Sequence, residues 1–388
     1  MAKPGGGASR GGRPAGPATG QAARDKAALA KAGLAKARQG KPGTGKKPVT
    51  GKKPVKAKPV AKPPPRKPAA APARPALKPE ADGYVPFGQR LAAWWHGEPV
   101  GPRIVRDPES RRQVDIAVES EPVPLARWSE QGVDIAGRLW GAGFTEPGGA
   151  DYWEEILIPS GANGAMTILA LNPGLGGGVR HIVKKLDLWI TALEDDAELL
   201  AAGDALNDRA GMHQRILLKP ADFAALELAD ASHDLIFARE SFYRVADKAA
   251  FLASIIRALK PGGHLVFTDL VVEPKDRAAP QVAAWQEAEP GDTDCWSEAQ
   301  YRQVLDDGTQ MELHVMKDDS ERYNEFILQG WQALQESLDS DTTSRSFVDL
   351  LMREGNIWLT RSRALQAGKL RLVRVHARRR KPRRADPR

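Results

Sequence analysis

The residues of this chain best placed to do chemistry are Asn172-Pro-Gly-Leu-Gly-Gly-Gly178 and Glu194. Met166-Thr-Ile-Leu-Ala-Leu171, just before the glycines, is a short apolar run of the kind that forms a buried strand. Val179–Leu186, just after them, has apolar residues at helical spacing, and Leu188–Leu193 is a second buried strand that ends on Glu194. A strand feeding a glycine turn and then a helix lets backbone N–H groups and the helix N-terminus face a ligand. An acid about twenty residues past the first glycine suits a ribose diol, because its carboxylate accepts both hydroxyl protons. The competing reading is a plain strand–helix–strand unit with a tight turn and an exposed glutamate. The segments downstream tip the balance away from it.

Positioning these groups takes a sheet. Ala197–Gly211 reads as an alanine-rich helix, Arg215–Lys219 as a third strand with Ala221-Asp-Phe223 directly after it, and His233–Ala238 as a fourth. Asp247–Leu259 is a helix, stopped by Lys260-Pro-Gly-Gly263, and His264–Asp269 is a fifth strand. Strands alternating with helices imply a parallel sheet covered on both faces. Ligands of such sheets bind at the carboxyl ends of the strands, where Gly174, Glu194, Asp222, Arg239 and Asp269 fall. Pro274–Gln300 reads as irregular, with Ser297–Leu305 a short helix capped by Ser297. Gln310–Met316 is a strand, Glu321–Leu338 and Ser344–Ala367 are long helices, and Lys369–Val375 is an alternating final strand. The fold expected is α/β: a Rossmann-like, seven-stranded, mostly parallel sheet with helices on both faces. Ahead of it, Phe87–Trp95 is a short amphipathic helix, and Leu139–Gly149 is a helix end running into an aromatic, Gly and Pro loop. That loop is either a lid over a ligand, with Trp140 and Phe144 as walls, or a packed N-terminal cap.

The net charge of +8 over 388 residues is split unevenly. Met1–Glu80 carries roughly +18 and Arg378–Arg388 roughly +6, which leaves the middle, Ala81–Ala377, at roughly −16. The first segment is Lys, Pro, Ala and Gly with almost no large apolar residue, so it cannot offset its own ordering entropy and is expected to be a disordered basic tail. Lys-Lys-Pro-Val recurs in it at Lys46 and Lys52, and Ala22–Ala37 has helix-favouring residues. It serves as an electrostatic arm for nucleic acid, ribosomes or anionic lipid, or as a solubilising tail. No aromatic is interleaved for base stacking. The single cysteine, Cys295, excludes an internal disulfide framework and a cysteine-rich zinc site, and His181, His213, His233 and His264 are too scattered for a metal set. No apolar run reaches the length of a membrane span and no secretory h-region is present, so the cytoplasm is the expected compartment. The domain plan is a tail over 1–80, a helical cap over 81–160, the α/β domain over 161–377 and a basic tail over 378–388.

With these residues in place, the chain resembles the class I S-adenosylmethionine-dependent methyltransferases. It looks most like the small-molecule branch that includes phosphoethanolamine and sarcosine-type N-methyltransferases. The most specific segments are Asp234-Leu-Ile-Phe-Ala-Arg-Glu-Ser-Phe-Tyr-Arg-Val-Ala-Asp-Lys248 and Leu259-Lys-Pro-Gly-Gly-His-Leu-Val-Phe-Thr-Asp269. The resemblance spans about Arg138–Arg378 and implies S-adenosylmethionine as cofactor. It places Leu171, Asn172, Gly174, Gly176 and Gly177 on the cofactor loop, and Glu194 with Asp195 at the ribose. Asp222 and Phe223 fall at the adenine, and Ala238 and Arg239 at the methyl-transfer site. Two departures stand out: Ala170 replaces a loop-organising carboxylate, and Pro173 removes a backbone donor. Asn172, in place of a glycine, tolerates positive φ. Arg244 stands where the phosphobase enzymes carry a histidine, which counts against a phosphobase substrate.

Methyl transfer from a sulfonium needs mainly alignment and exclusion of water. Glu240 and Tyr243, just past strand four, are the candidates for contacting or deprotonating the acceptor; for Glu240 a salt bridge to Arg239 or Arg244 is the competing role. Trp140 and Phe144 are candidate walls of the acceptor pocket. Asp269 reads as structural and Cys295 as inert. Three functions follow: a methyltransferase on a small molecule, a degenerate member serving as an interaction module, and a nucleic-acid or ribosome-associated methyltransferase recruited by the basic tails.

Overall fold

Seven strands pair in the order β3-β2-β1-β4-β5-β7-β6 in a computed structural model that describes residues 85, 87–98, 125–338 and 344–381. They are β1 (Ile168–Leu171), β2 (Ile190–Glu194), β3 (Ile216–Pro220), β4 (His233–Arg239), β5 (Leu259–Val271), β6 (Met311–Asp318) and β7 (Arg371–Arg379). The first five run parallel; β7 is antiparallel to β5, and β6 to β7. All four residues of β1 are buried, as a central strand covered on both faces requires. The strand order reverses at β1, between β2 and β4, and a ligand crevice opens at such a point. The readings for Met1–Glu80, including the Lys-Lys-Pro-Val repeats and Ala22–Ala37, lie outside the described residues, as does 382–388.

One face of the sheet is covered by α3 (Gly149–Leu157) and α4 (Gly177–Leu186), where Tyr152, Trp153, Val179 and Ile182 pack on Ile168, Ala170, Ile190 and Val266. The other is covered by α6 (Lys248–Ala258) and α8 (Glu298–Leu305), where Phe251, Leu252 and Tyr301 meet Leu169, Ile236 and Phe267. Asp247 caps α6 by accepting from Ala250 N, and Ser297 with Gln300 closes a capping box on α8. A further helix, α5 (Ala197–Arg209), is capped by Asp196. A third cluster joins α1 (Phe87–Trp95), α2 (Glu130–Trp140), α7 (Pro280–Ala288), α9 (Ser320–Ser337) and α10 (Arg345–Gln366). In it Trp95 stacks on Trp331 at 4.7 Å and Trp140 meets Trp358 edge-on at 4.6 Å.

Three expectations need correcting. Pro274–Gln300 is not irregular throughout: Pro280 opens α7, with its φ pre-set for a first turn, and Val282 and Trp285 bury that helix's inner face. Lys260-Pro-Gly-Gly263 is not a separate turn but part of β5, which starts directly at the end of α6; Gly262 at φ +86° absorbs the irregularity. The last strand runs on through Arg378 and Arg379, which were assigned to the tail.

Candidate active site

The glycine turn is held by the acid that was expected to face a ligand. Gly174 N donates to Glu194 Oε2 at 2.9 Å, and Asp196 N donates to Glu194 Oε1 at 3.2 Å. Glu194 is 2 % exposed, and burial pushes its pKa up to about 7 despite those two donors. Asn172 adopts φ +46°, as expected for the residue in a glycine's place, and its Oδ1 accepts from Asp195 N at 3.2 Å. Ala170 is fully buried in the apolar cluster, so no carboxylate lies at the position the resemblance would fill.

The loop ahead of α3 lies on this turn. A Cβ on Gly174 would come within 2.4 Å of Thr145 Oγ1. Gly177 N, at the start of α4, donates to Gly143 O at 2.7 Å. Arg239, at the end of β4, ties the same loop down: it donates to Pro147 O at 3.0 Å and pairs with Glu146 at 3.4 Å, with Tyr152 and Trp153 flanking its guanidinium. Burial works against its charge, but Glu146 and Glu240 hold it protonated.

Beyond Arg239 the chain enters a buried network. Glu240 takes φ +49°, a conformation that costs a side-chain-bearing residue about 1–2 kcal/mol and that clusters at functional sites. Its carboxylate pairs with Arg239 at 3.0 Å and Arg361 at 3.3 Å and accepts from the Tyr323 hydroxyl. Tyr243 donates its hydroxyl to Glu289 at 3.0 Å and accepts from Arg244 at 2.9 Å and Arg361 at 3.2 Å. Burial pushes Tyr243 up to about 12. Burial also works to raise Glu289, but Arg361 and Arg244 outweigh it and hold that carboxyl at about 2. The salt-bridge role weighed for Glu240 is thus occupied, by Arg239 and Arg361 rather than Arg244. Asp269 accepts from Tyr243 N at 2.9 Å and Tyr301 OH at 2.7 Å, a structural position. Cys295 is buried with its thiol pKa raised.

Asn172, Gly174, Glu194, Asp195, Arg239, Glu240 and Tyr243 all line one cavity of about 100 Å³ at the carboxyl ends of β1, β2 and β4. Leu171, Gly176, Gly177, Ala238, Trp140 and Phe144 do not line it. Neither do Asp222, which caps the turn after β3 by accepting from Ala224 N, nor Phe223, which packs on Phe251 in the core. Trp140 is 7 % exposed and belongs to the helical cluster rather than to a pocket wall. Sequence reasoning missed Arg127, Glu146, Trp358 and Arg361, which line the cavity, and Glu289 and Tyr323 behind it. Arg361 carried a signal: with Trp358 and Leu365 it falls on the buried stripe of α10, where an unpaired charge would be prohibitive.

Residues 171–267 match the family model described as a methyltransferase domain. The folded core has the class I methyltransferase fold. Among curated relatives, phosphoethanolamine N-methyltransferase 1 of Arabidopsis thaliana is 25 % identical over 142 residues, 37 % of this chain and 28 % of that protein. Dimethylglycine N-methyltransferase of Parasynechococcus marenigrum is 34 % identical over 102 residues, 26 % of this chain and 36 % of that protein. The chain therefore spans only about a third of the length of these relatives. Among solved structures, Haemonchus contortus phosphoethanolamine N-methyltransferase 2 in complex with S-adenosyl-L-methionine superposes with a TM-score of 0.57 at 17 % identity, covering 66 % of this chain and 58 % of that one. A Galdieria sulphuraria structure named for a sarcosine dimethylglycine methyltransferase superposes with a TM-score of 0.52 at 18 % identity, over 66 % of this chain and 100 % of its own. These likenesses fix the fold of the methyltransferase domain.

The residues present fit S-adenosylmethionine at its ribose end. Each oxygen of Glu194 spends one acceptor site on a backbone N–H, and a carboxylate has further lone pairs to offer a diol. The 100 Å³ cavity is small beside the roughly 300 Å³ or more of ordinary ligand pockets, and Thr145 and Glu146 of the loop ahead of α3 form part of its wall.

Proposed function

We propose that the protein methylates a small molecule at nitrogen or oxygen, using S-adenosylmethionine. The observation that carries this reading is Glu194, buried at the end of β2, bonded to the glycine turn and lining the cavity. Glu194, Asp195, Asn172 and Gly174 would hold the cofactor at its ribose side, with Leu171, Gly176 and Gly177 shaping the turn and Asp222, Phe223 and Ala238 completing the adenine and transfer ends. Bound there, the cofactor supplies an electrophilic sulfonium methyl group. The protein then has to hold the acceptor in line and keep water out.

Glu240 and Tyr243 act in this scheme by orientation. At neutral pH a hydroxyl held near 12 does not take up a proton, and Glu240 is fixed between two guanidinium groups. Glu146 and Glu240 both pair with Arg239 in the cavity wall, and the Arg361 guanidinium lies over the Trp358 ring at 4.5 Å, so these groups form a fixed polar wall for the acceptor. Trp140 and Phe144 contribute by packing the cap rather than by touching the acceptor. We assign 161–377 as the catalytic domain and 81–160 as its cap. Among the described residues no helix is long and apolar enough to cross a membrane, and the single cysteine supports a cytoplasmic placement. Ala170, Pro173 and the loop resting on Gly174 favour a second reading, a binding module without turnover.

The test is to incubate the full chain with methyl-labelled S-adenosylmethionine and a panel of small primary to tertiary amines, amino acids and hydroxy compounds. Label transfer to any of them that is lost in Glu194→Ala supports the enzyme. No transfer to any acceptor, with the cofactor bound, selects the module.

A further inference from the structure

The strand β7 changes character along its length. At its start, by the cavity, Arg371 pairs with Glu273 and Glu298, and Arg374 pairs with Glu155 and Asp319. At its far end Arg378, Arg379, Arg380 and Lys381 follow one another, and among the described residues none forms an ion pair. Their guanidinium contacts are to main-chain carbonyls: Arg378 to Gly262 O at 3.0 Å, Arg379 to Arg257 O at 2.8 Å, Arg380 to Met311 O at 3.0 Å. Glu312, in register with Arg378, makes no ion pair with it. Beside them His264 Nδ1 lies 2.8 Å from His376 Nε2, and the His314 ring stacks on His376 at 5.6 Å. Burial first, and then His264, His314 and Arg378, push His376 down to about 4. Arg257 and Lys260 flank the group, each with an acid of its own.

We infer that this edge of the sheet, at the amino ends of β4 and β5 and opposite the catalytic cavity, docks the sugar–phosphate backbone of a nucleic acid. Guanidinium forks anchored at one nitrogen keep other N–H groups free for phosphate oxygens. No aromatic is interleaved among the four cations, so backbone rather than base is contacted. Val315 is the large apolar side chain exposed on the neighbouring strand, too little to insert into a bilayer, which favours nucleic acid over a lipid surface.

The experiment uses the full chain with a labelled 20-base-pair duplex of mixed sequence, as RNA and as DNA, followed by anisotropy at rising KCl. Four neutralised phosphates give a log–log salt slope near −3.6, about a 100-fold loss between 50 and 200 mM. Because Met1–Glu80 is basic as well, the decisive reading is the change in slope on Arg380→Glu with Lys381→Glu, two exposed positions. Arg378→Gln serves as an independent variant. A slope shallower by about 2 in the double variant, with an unchanged thermal melt, supports the inference. An unchanged slope overturns it, and so does binding to phosphatidylserine vesicles without binding to either duplex.

Discussion

The two ends of the sheet treat charge in opposite ways. Around the cavity Arg127, Arg239, Arg244 and Arg361 are each matched to a glutamate, mostly out of water. At the opposite edge Arg378, Arg379 and Arg380 donate to carbonyls, and among the described residues neither they nor Lys381 form an ion pair. Buried charge must be paired to be tolerated, so a paired set is rigid and sets a geometry. Unpaired surface charge is cheap and mobile, and serves partners that are themselves dense in charge. The first arrangement suits a small ligand held in one pose; the second suits a polyanion held in many.

Substitutions sharpen that contrast, the largest effect first. Arg361→Met strands the Glu289 and Glu240 carboxylates it serves and should cost about 3–5 kcal/mol in urea unfolding. Arg380→Gln at the other edge should stay within about 0.5 kcal/mol. Equal effects would erase the distinction.

Next comes pH. Glu194 ordinarily titrates near 4.5 and here near 7, so the folded protein holds this proton more tightly than the unfolded chain. Its contribution, about 3 kcal/mol, is fully present below pH 4.5 and is lost as pH rises through 7. Stability compared at pH 5 and pH 8 should show this fall in the parent and not in Glu194→Gln. A diol donating to the ionised carboxylate works the other way, so cofactor affinity should rise between pH 6 and pH 8. Affinity falling over that range would remove Glu194 from the ligand site.

A smaller effect is steric. A Cβ on Gly178 would lie 2.0 Å from Trp153 Cε2, so Gly178→Ala should cost about 1–3 kcal/mol and loosen α4 against α3. The smallest is at Asn172, whose positive φ and bond from Asp195 N predict a loss of about 1 kcal/mol for Asn172→Ala and less for Asn172→Gly. Thermal melts of the two variants, run side by side, check the order.

Much of this was legible in the chain because it is local. The β1 run, the glycine turn, Glu194 and the capped helices each declare themselves within about twenty residues, and seven of the anticipated site residues do meet at one cavity. What escaped depends on long-range pairing. Glu289 and Arg361 lie 72 positions apart, and Tyr323 and Glu240 lie 83 apart, and no local pattern links them. Trp140 and Phe223 lie outside the cavity lining for a different reason: an aromatic beside a loop packs inward as readily as it lines a pocket, and only the surrounding helices decide.

The central claim is that Glu194 and the glycine turn form a working S-adenosylmethionine site. Calorimetric titration of the cofactor and its demethylated product into the full chain, with Glu194→Ala alongside, tests it most directly. The account predicts micromolar binding in the parent and a loss of at least tenfold in the variant. A folded parent that binds neither molecule, or a variant that binds as tightly as the parent, would contradict it.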